Sequence, residues 1–165
     1  FKSSKMDIII FKQLFFYYKF NLLYDRMHWF GSKACKKKKL KSFSWLRNLK
    51  NKKYPIWRID SLFSKTKETN LEIINDGGWH FTNVKSAEDL YEKLINYGHH
   101  NEFEDAGYSL DDIKYQISKK IVNYDHLADK TKAKKNFEYK LKKVENNILP
   151  NYLQLNHKLY KEWFD

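Results

Sequence analysis

Apolar positions along the chain switch from a strand-like to a helix-like spacing. Ile8 to Tyr24 is dense in β-branched and aromatic residues. Within it Phe16, Tyr18, Phe20 and Leu22 alternate with Tyr17, Lys19 and Asn21, which predicts a strand with two distinct faces. Lys12–Tyr18 also fits a helix, so that boundary stays open. The chain is expected to turn around Trp29–Gly31, and the four like charges of Lys36–Lys39 predict a solvated loop or strand edge. Phe43–Leu49 predicts a short helix with Trp45, Leu46 and Leu49 inward. Residues 50–70 predict loop, with a one-turn segment near Trp57–Leu62. Leu71–Ile74 predicts a short strand ended by the turn signal Asp76-Gly77-Gly78, after which Trp79–Val84 resumes an extended path.

Three helices follow. Ser86 is an N-cap for 87–97, with Glu88 and Asp89 in the first turn favouring the positive helix end and Leu90, Leu94 and Tyr97 forming a buried stripe. Ser109 repeats the arrangement, with Asp111 and Asp112 behind it and Ile113, Ile117 and Ile121 as the stripe. Pro150 suits the first turn of a last helix carrying Tyr152, Leu153, Leu155, Leu159 and Trp163. Residues 128–146 are Lys-rich and weakly patterned. No internal repeat is visible. The expected fold class is α/β, a mixed sheet with flanking helices, in a single domain over residues 1–165.

Composition narrows this further. A chain of 165 residues with 42% apolar and 18% aromatic residues can build a core and is not a disordered linker. One cysteine, Cys35, excludes an internal disulfide and a Cys-based zinc site; its neighbours Lys36–Lys39 would lower its pKa. No apolar run of about 18 residues exists, and Ile8–Phe11 behind Lys2 and Lys5 is too short for a signal peptide. Charge is uneven: residues 1–65 hold 17 Lys/Arg against three acids, +14, whereas the rest is close to neutral within a total of +12. A cationic first part attracts phosphate-bearing partners, whether nucleic acid, anionic lipid or a nucleotide diphosphate, although biased composition alone also yields such charge.

Two segments could carry chemistry. In Asp76-Gly77-Gly78-Trp79-His80-Phe81 the glycines allow backbone N–H groups close to a ligand, while Trp79 and His80 offer a stacking face and a switchable donor; a plain turn with a packed Trp is the bland alternative. In His99-His100-Asn101-Glu102-Phe103-Glu104-Asp105 two imidazoles and three carboxylates suit a divalent cation or a general base, or simply a polar connection between helices. His28, His126 and His157 read as surface or packing residues. Walker, G-x-G-x-x-G, G-x-S-x-G and H-E-x-x-H signatures are absent. Aromatics among the basic residues of 11–58 suit stacking on single-stranded nucleic acid, but no RNA-binding motif accompanies them.

Taken in order, four stretches resemble family-17 glycosyltransferases, the β-1,4-mannosyl-glycoprotein β-1,4-N-acetylglucosaminyltransferase type. Phe16-Tyr17-Tyr18 with Asn21, then Trp29 and Gly31-Ser32, resembles the family's aromatic strand leading to a W-x-G-S turn. Gly78-Trp79-His80-Phe81-Thr82 is similar to its G-W-H-F-S motif. Lys93, then His99 or His100, and Glu102 resemble its K…H-x-E pattern, and Leu149-Pro150 with Asn156 its closing L-P…N segment. The match spans nearly the whole chain.

The resemblance implies the C-terminal part of a GT-A-like nucleotide-sugar transferase that moves N-acetylglucosamine, or a related sugar, from a UDP-sugar donor to a glycan acceptor with inversion. Gly77, Gly78, Trp79 and His80 would line the donor site. Glu102 would be the base, with Glu104 and Asp105 as alternates, and His99 or His100 would complete a metal shell. The implied cofactor is a divalent metal, Mn or Mg, held mainly by a D-x-D motif. No D-x-D occurs in this sequence; in the family it precedes the aromatic strand. The chain, which opens at Phe1, is therefore expected to be N-terminally truncated and inactive alone. On this reading no nucleic-acid partner is expected, and peripheral membrane association remains open. The implied compartment is the Golgi lumen for a eukaryotic protein, and the cytoplasm or a membrane face for a microbial or viral one. The rival reading is a non-catalytic basic module binding nucleic acid or an anionic surface through residues 1–65.

Overall fold

A computed structural model describes residues 5–96, 109–123 and 137–165. The architecture is mixed α/β, with small sheets flanked by helices, and the chain divides into two compact units: Phe1–Leu14 with His28–His80, and Phe15–Met27 with Phe81–Asp165.

The first unit is built on β1 (Ile8–Phe11), which lies between β4 (Lys33–Cys35) and β5 (Leu71–Ile74). It pairs antiparallel with β4 (Ile9 opposite Ala34) and parallel with β5 (Ile10 opposite Ile73). Ile8, Ile9 and Ile10 are all buried, as a central strand covered on both faces requires, and three β-branched residues in a row suit it. The core joins Ile8, Ile10, Leu49 and Leu71, with Phe30, Trp45, Leu46 and Ile73 against them. Truncating such an Ile or Leu to Ala typically costs about 2–5 kcal/mol.

The helix α1 (Phe43–Asn48) starts where Ser42 Oγ accepts the Trp45 N–H. At its other end Lys33 Nζ donates to the carbonyls of Arg47 (3.0 Å) and Leu49 (2.6 Å), which satisfies acceptors that a helix C-terminus leaves unpaired. Trp45, Leu46 and Leu49 face the core, as the spacing predicts. The turn expected at Trp29–Gly31 instead falls at Asp25–Arg26, because Trp29 is held in an antiparallel bridge to Gln13, with both N···O distances 2.9 Å. Cys35 also departs from expectation: burial pushes its thiol pKa up, and this desolvation outweighs the neighbouring lysines.

In the second unit the continuous strand expected over 16–22 is a hairpin. β2 (Leu14–Tyr17) ends at Tyr18, whose φ of 65° is left-handed, and β3 (Leu22–Leu23) returns with Leu23 opposite Phe16. Tertiary bonds override the alternation: Tyr18 N–H donates to Thr82 O and Phe20 N–H to Trp163 O. Phe20 then sits among Phe81, Tyr160 and Phe164. Buried Asn21 is satisfied by the backbone of Asp165, accepting its N–H (2.9 Å) and donating to its O (3.2 Å). The sheet order is β6 (Trp79–Thr82), β2, β3, β9 (Lys142–Lys143). A second pairing joins β7 (Ile121–Val122) to β8 (Tyr139–Lys140), so part of the weakly patterned Lys-rich segment is strand.

Helices flank this unit. α3 (Ala87–Ile95) carries the expected Ser86 cap on the Asp89 N–H and buries Leu90; Tyr97 lies outside the described residues. α4 (Leu110–Lys119) has a full capping box between Ser109 and Asp112, and Lys114 reaches Glu88 of α3 at 3.0 Å. Ile121 does not extend the α4 stripe: left-handed Lys120 ends the helix and starts β7. The long last helix is also broken. α5 (Asn151–Leu155) stops at Asn156, and His157–Trp163 is a 3-10 segment with non-helical Tyr160. Of its stripe only Leu153 is buried, whereas Leu155 and Leu159 are exposed.

Candidate functional site

The Asp76–His80 corner is built in the first unit by the end of β1. Lys12 N–H donates to Ile74 O, Gly77 N–H to Lys12 O and Leu14 N–H to Gly78 O, so the corner is stitched to residues 12–14. A Cβ on Gly77 would stand 2.8 Å from Lys12 N and Phe11 Cα, and Gly78 has φ of +109°. Glycine is therefore demanded twice, once by backbone approach and once by conformation. Part of the ligand-facing role expected of these N–H groups is already spent, since Gly77 N–H is bound to Lys12 O.

Beyond the glycines, Trp79 is 39% exposed and its carbonyl accepts from Gln13 Nε2 at 3.4 Å. The His80 ring stacks on Trp29, with centroids 4.3 Å apart and planes 10° from parallel. Trp29 in turn lies against Gly31, where a Cβ would come within 2.7 Å of indole Cε2. Two of the four stretches thus meet here: the segment from Trp29 to Ser32 supplies the platform, and the segment from Gly78 to Thr82 supplies the imidazole resting on it. Burial holds the His80 pKa below its ordinary 6.5. His28 is lowered as well, by burial first and then by Lys12. The neutral imidazole accepts or donates one hydrogen bond, and the exposed Trp79 face suits a sugar ring or a base.

Sequence reasoning missed Gln13. Its Oε1 is buried without a hydrogen-bond partner among the described residues, an orphaned acceptor enclosed beside the corner. A lone Gln in an apolar run gives no signal of this. In the second unit Lys93 on α3 donates to Asn83 Oδ1 at 2.9 Å. Asn83 has φ of 53° and follows β6 directly. Burial, then Lys85, lowers the Lys93 pKa.

Comparison with models of protein families, with curated proteins and with solved structures found no match. Glu102, Glu104, Asp105, His99 and His100 lie outside the described residues. Among the described residues no group of three or more His, Cys, Asp or Glu side chains is placed to hold a metal. An open depression of about 500 Å³ in the second unit is lined by residues that include Asn21, Lys143, His157 and Asp165; of the predicted site residues that are described, Gly77, Gly78, Trp79 and His80, none lines it.

Proposed function

We propose that the chain is the C-terminal part of a family-17-like, GT-A-type glycosyltransferase, in which Gly77–His80 form one wall of the site for a UDP-sugar donor. One observation carries this reading: the aromatic corner, in which Trp29 and His80, distant in sequence and each from a different motif of the resemblance, stack on one another while Trp79 keeps an exposed face. The donor sugar or uracil stacks on Trp79, neutral His80 binds a polar group of the donor, and the glycines keep the backbone close. Inverting transfer also requires a carboxylate to take the acceptor proton. Glu102 is assigned that role by the resemblance alone, with Glu104 and Asp105 behind it. The glycan acceptor and the Mn or Mg ion come from the same source, as does the upstream D-x-D.

The test is turnover of UDP-N-acetylglucosamine by the chain, together with any polypeptide that its gene encodes ahead of Phe1. Trp79→Ala, His80→Ala and Glu102→Gln are each expected to lower kcat/KM by about tenfold or more, with the far-ultraviolet spectrum of the folded parent retained. Parental turnover in all three variants, or no turnover by the parent, overturns the assignment.

A further inference from the structure

Residues 55–63 of the first unit present apolar side chains outward. Arg58 N–H donates to Pro55 O, closing a turn whose two central residues are Ile56 and Trp57. Such positions ordinarily take Gly, Asn, Asp or Ser. One helical turn, α2 (Ile59–Leu62), follows, and the i, i+3, i+4 spacing of Ile59, Leu62 and Phe63 puts them on one face. All five side chains are 70–84% exposed. They project from the unit instead of lying along it.

This is not a loose loop. Tyr54 and Ser61 are buried beneath it, Ser61 Oγ donates to Arg58 O at 2.6 Å, and Asp60 takes Arg58 Nε and Lys67 Nζ at 2.6 Å each. Tyr54 also lies under both cations. The polar side chains thus anchor the segment, and the large apolar ones are left facing water. Lys50, Lys52, Lys53 and Lys65 flank this apolar tip along the chain, and all are exposed. Residues 50–67 hold six Lys/Arg against the single acid Asp60, a net +5.

We propose that this segment is an interfacial anchor for an anionic lipid bilayer, with Trp57, Phe63 and the aliphatic residues entering the headgroup–acyl boundary and the lysines meeting lipid phosphates. Two features favour a bilayer over nucleic acid. Ile56, Ile59 and Leu62 add nothing to base stacking, whereas an apolar tip with a cationic collar matches an anionic interface in both chemistry and charge. Among the described residues no helix is long and apolar enough to cross a membrane, so the contact is with one face of the bilayer. The inference does not depend on sugar transfer.

The full chain is mixed with phosphatidylcholine vesicles containing either no anionic lipid or about a third phosphatidylserine, and the bound fraction is read by sedimentation. Binding to the anionic vesicles alone is expected. The Trp57→Ala/Phe63→Ala variant, which removes only exposed side chains, should keep its far-ultraviolet spectrum and lose about tenfold or more in partition. Lys52→Glu/Lys53→Glu should weaken binding chiefly at low salt, and lipids brominated on the acyl chain should quench Trp57. Absence of binding to anionic vesicles overturns the proposal, as does partition that the Trp57→Ala/Phe63→Ala variant leaves unchanged. Tighter binding of single-stranded RNA that the same double variant abolishes also overturns it.

Discussion

At the scale of single residues, His80 couples the corner to pH. Its folded pKa lies below the ordinary 6.5 because burial disfavours the imidazolium. The unfolded chain therefore binds a proton more readily than the folded one as the solution is acidified. The contribution of neutral His80 is complete above pH 6.5 and is lost as pH falls through the lower folded value. His28 acts in the same direction. Carboxylates do not confuse this window. Asp60, held near a pKa of about 2 by Arg58 and Lys67, and Asp7, lowered first by its hydrogen bond to Lys36, lose their contributions only below the unfolded value of 3.8. Thermal melts between pH 7.5 and 5 are thus expected to show a falling melting temperature, and His80→Gln should shrink that fall. An equal fall in the variant would mean that His80 remains solvated and that its stack on Trp29 does not hold.

At the scale of elements, what was legible in the sequence was what a few neighbouring residues decide. Ser86 and Ser109 each receive the N–H three residues on, because a short hydroxyl ahead of an apolar stripe is a local signal. The glycine corner was legible for the same reason. The strand expected over 16–22, the continuous last helix and the Ile121 stripe were not, because their endings are set by Thr82 O, Trp163 O and the left-handed Lys120. The stack of His80 on Trp29 and the orphaned Gln13 acceptor were hidden likewise: spacing along the chain does not reveal partners across a fold. The local caps can be tested directly. Ser109→Ala removes the side-chain half of the α4 box, in which Ser109 Oγ accepts from Asp112 N–H at 3.2 Å, together with the hydroxyl's own bond to the Asp112 carboxylate at 2.6 Å, while the Ser109 N–H bond to that carboxylate at 2.8 Å stays. A loss of about 1 kcal/mol in urea unfolding is expected, and Ser109→Asp should recover much of it. A variant as stable as the parent would show that α4 owes its start to packing of Ile113 alone.

At the scale of the whole molecule, the dominant fact is +12 of formal charge with an excess of +14 in residues 1–65. Two opposing effects of salt follow. Screening weakens the ion pairs, among them Lys36 and Lys39 on Asp7 (3.0 and 3.7 Å) and Lys41 on Glu68 (3.5 Å). These lysines are exposed, and pairs of that kind contribute little individually. Screening also relieves repulsion among 17 cations opposed by three acids, a repulsion whose range falls to a Debye length of about 8–10 Å at physiological salt. Repulsion is the larger sum, because every cation in the excess takes part in it while only a minority has an acid at hand. Raising sodium chloride from low to physiological strength is therefore expected to increase the melting temperature by about 2–4 °C. Asp7→Asn, which removes the acid shared by Lys36 and Lys39, should melt lower at low salt and approach the parent as salt rises. A melting temperature that falls with added salt would put the weight on the paired acids Asp7, Asp60 and Glu68. The cationic surface would then be a set of structural bridges, leaving little free charge with which to meet an anionic partner.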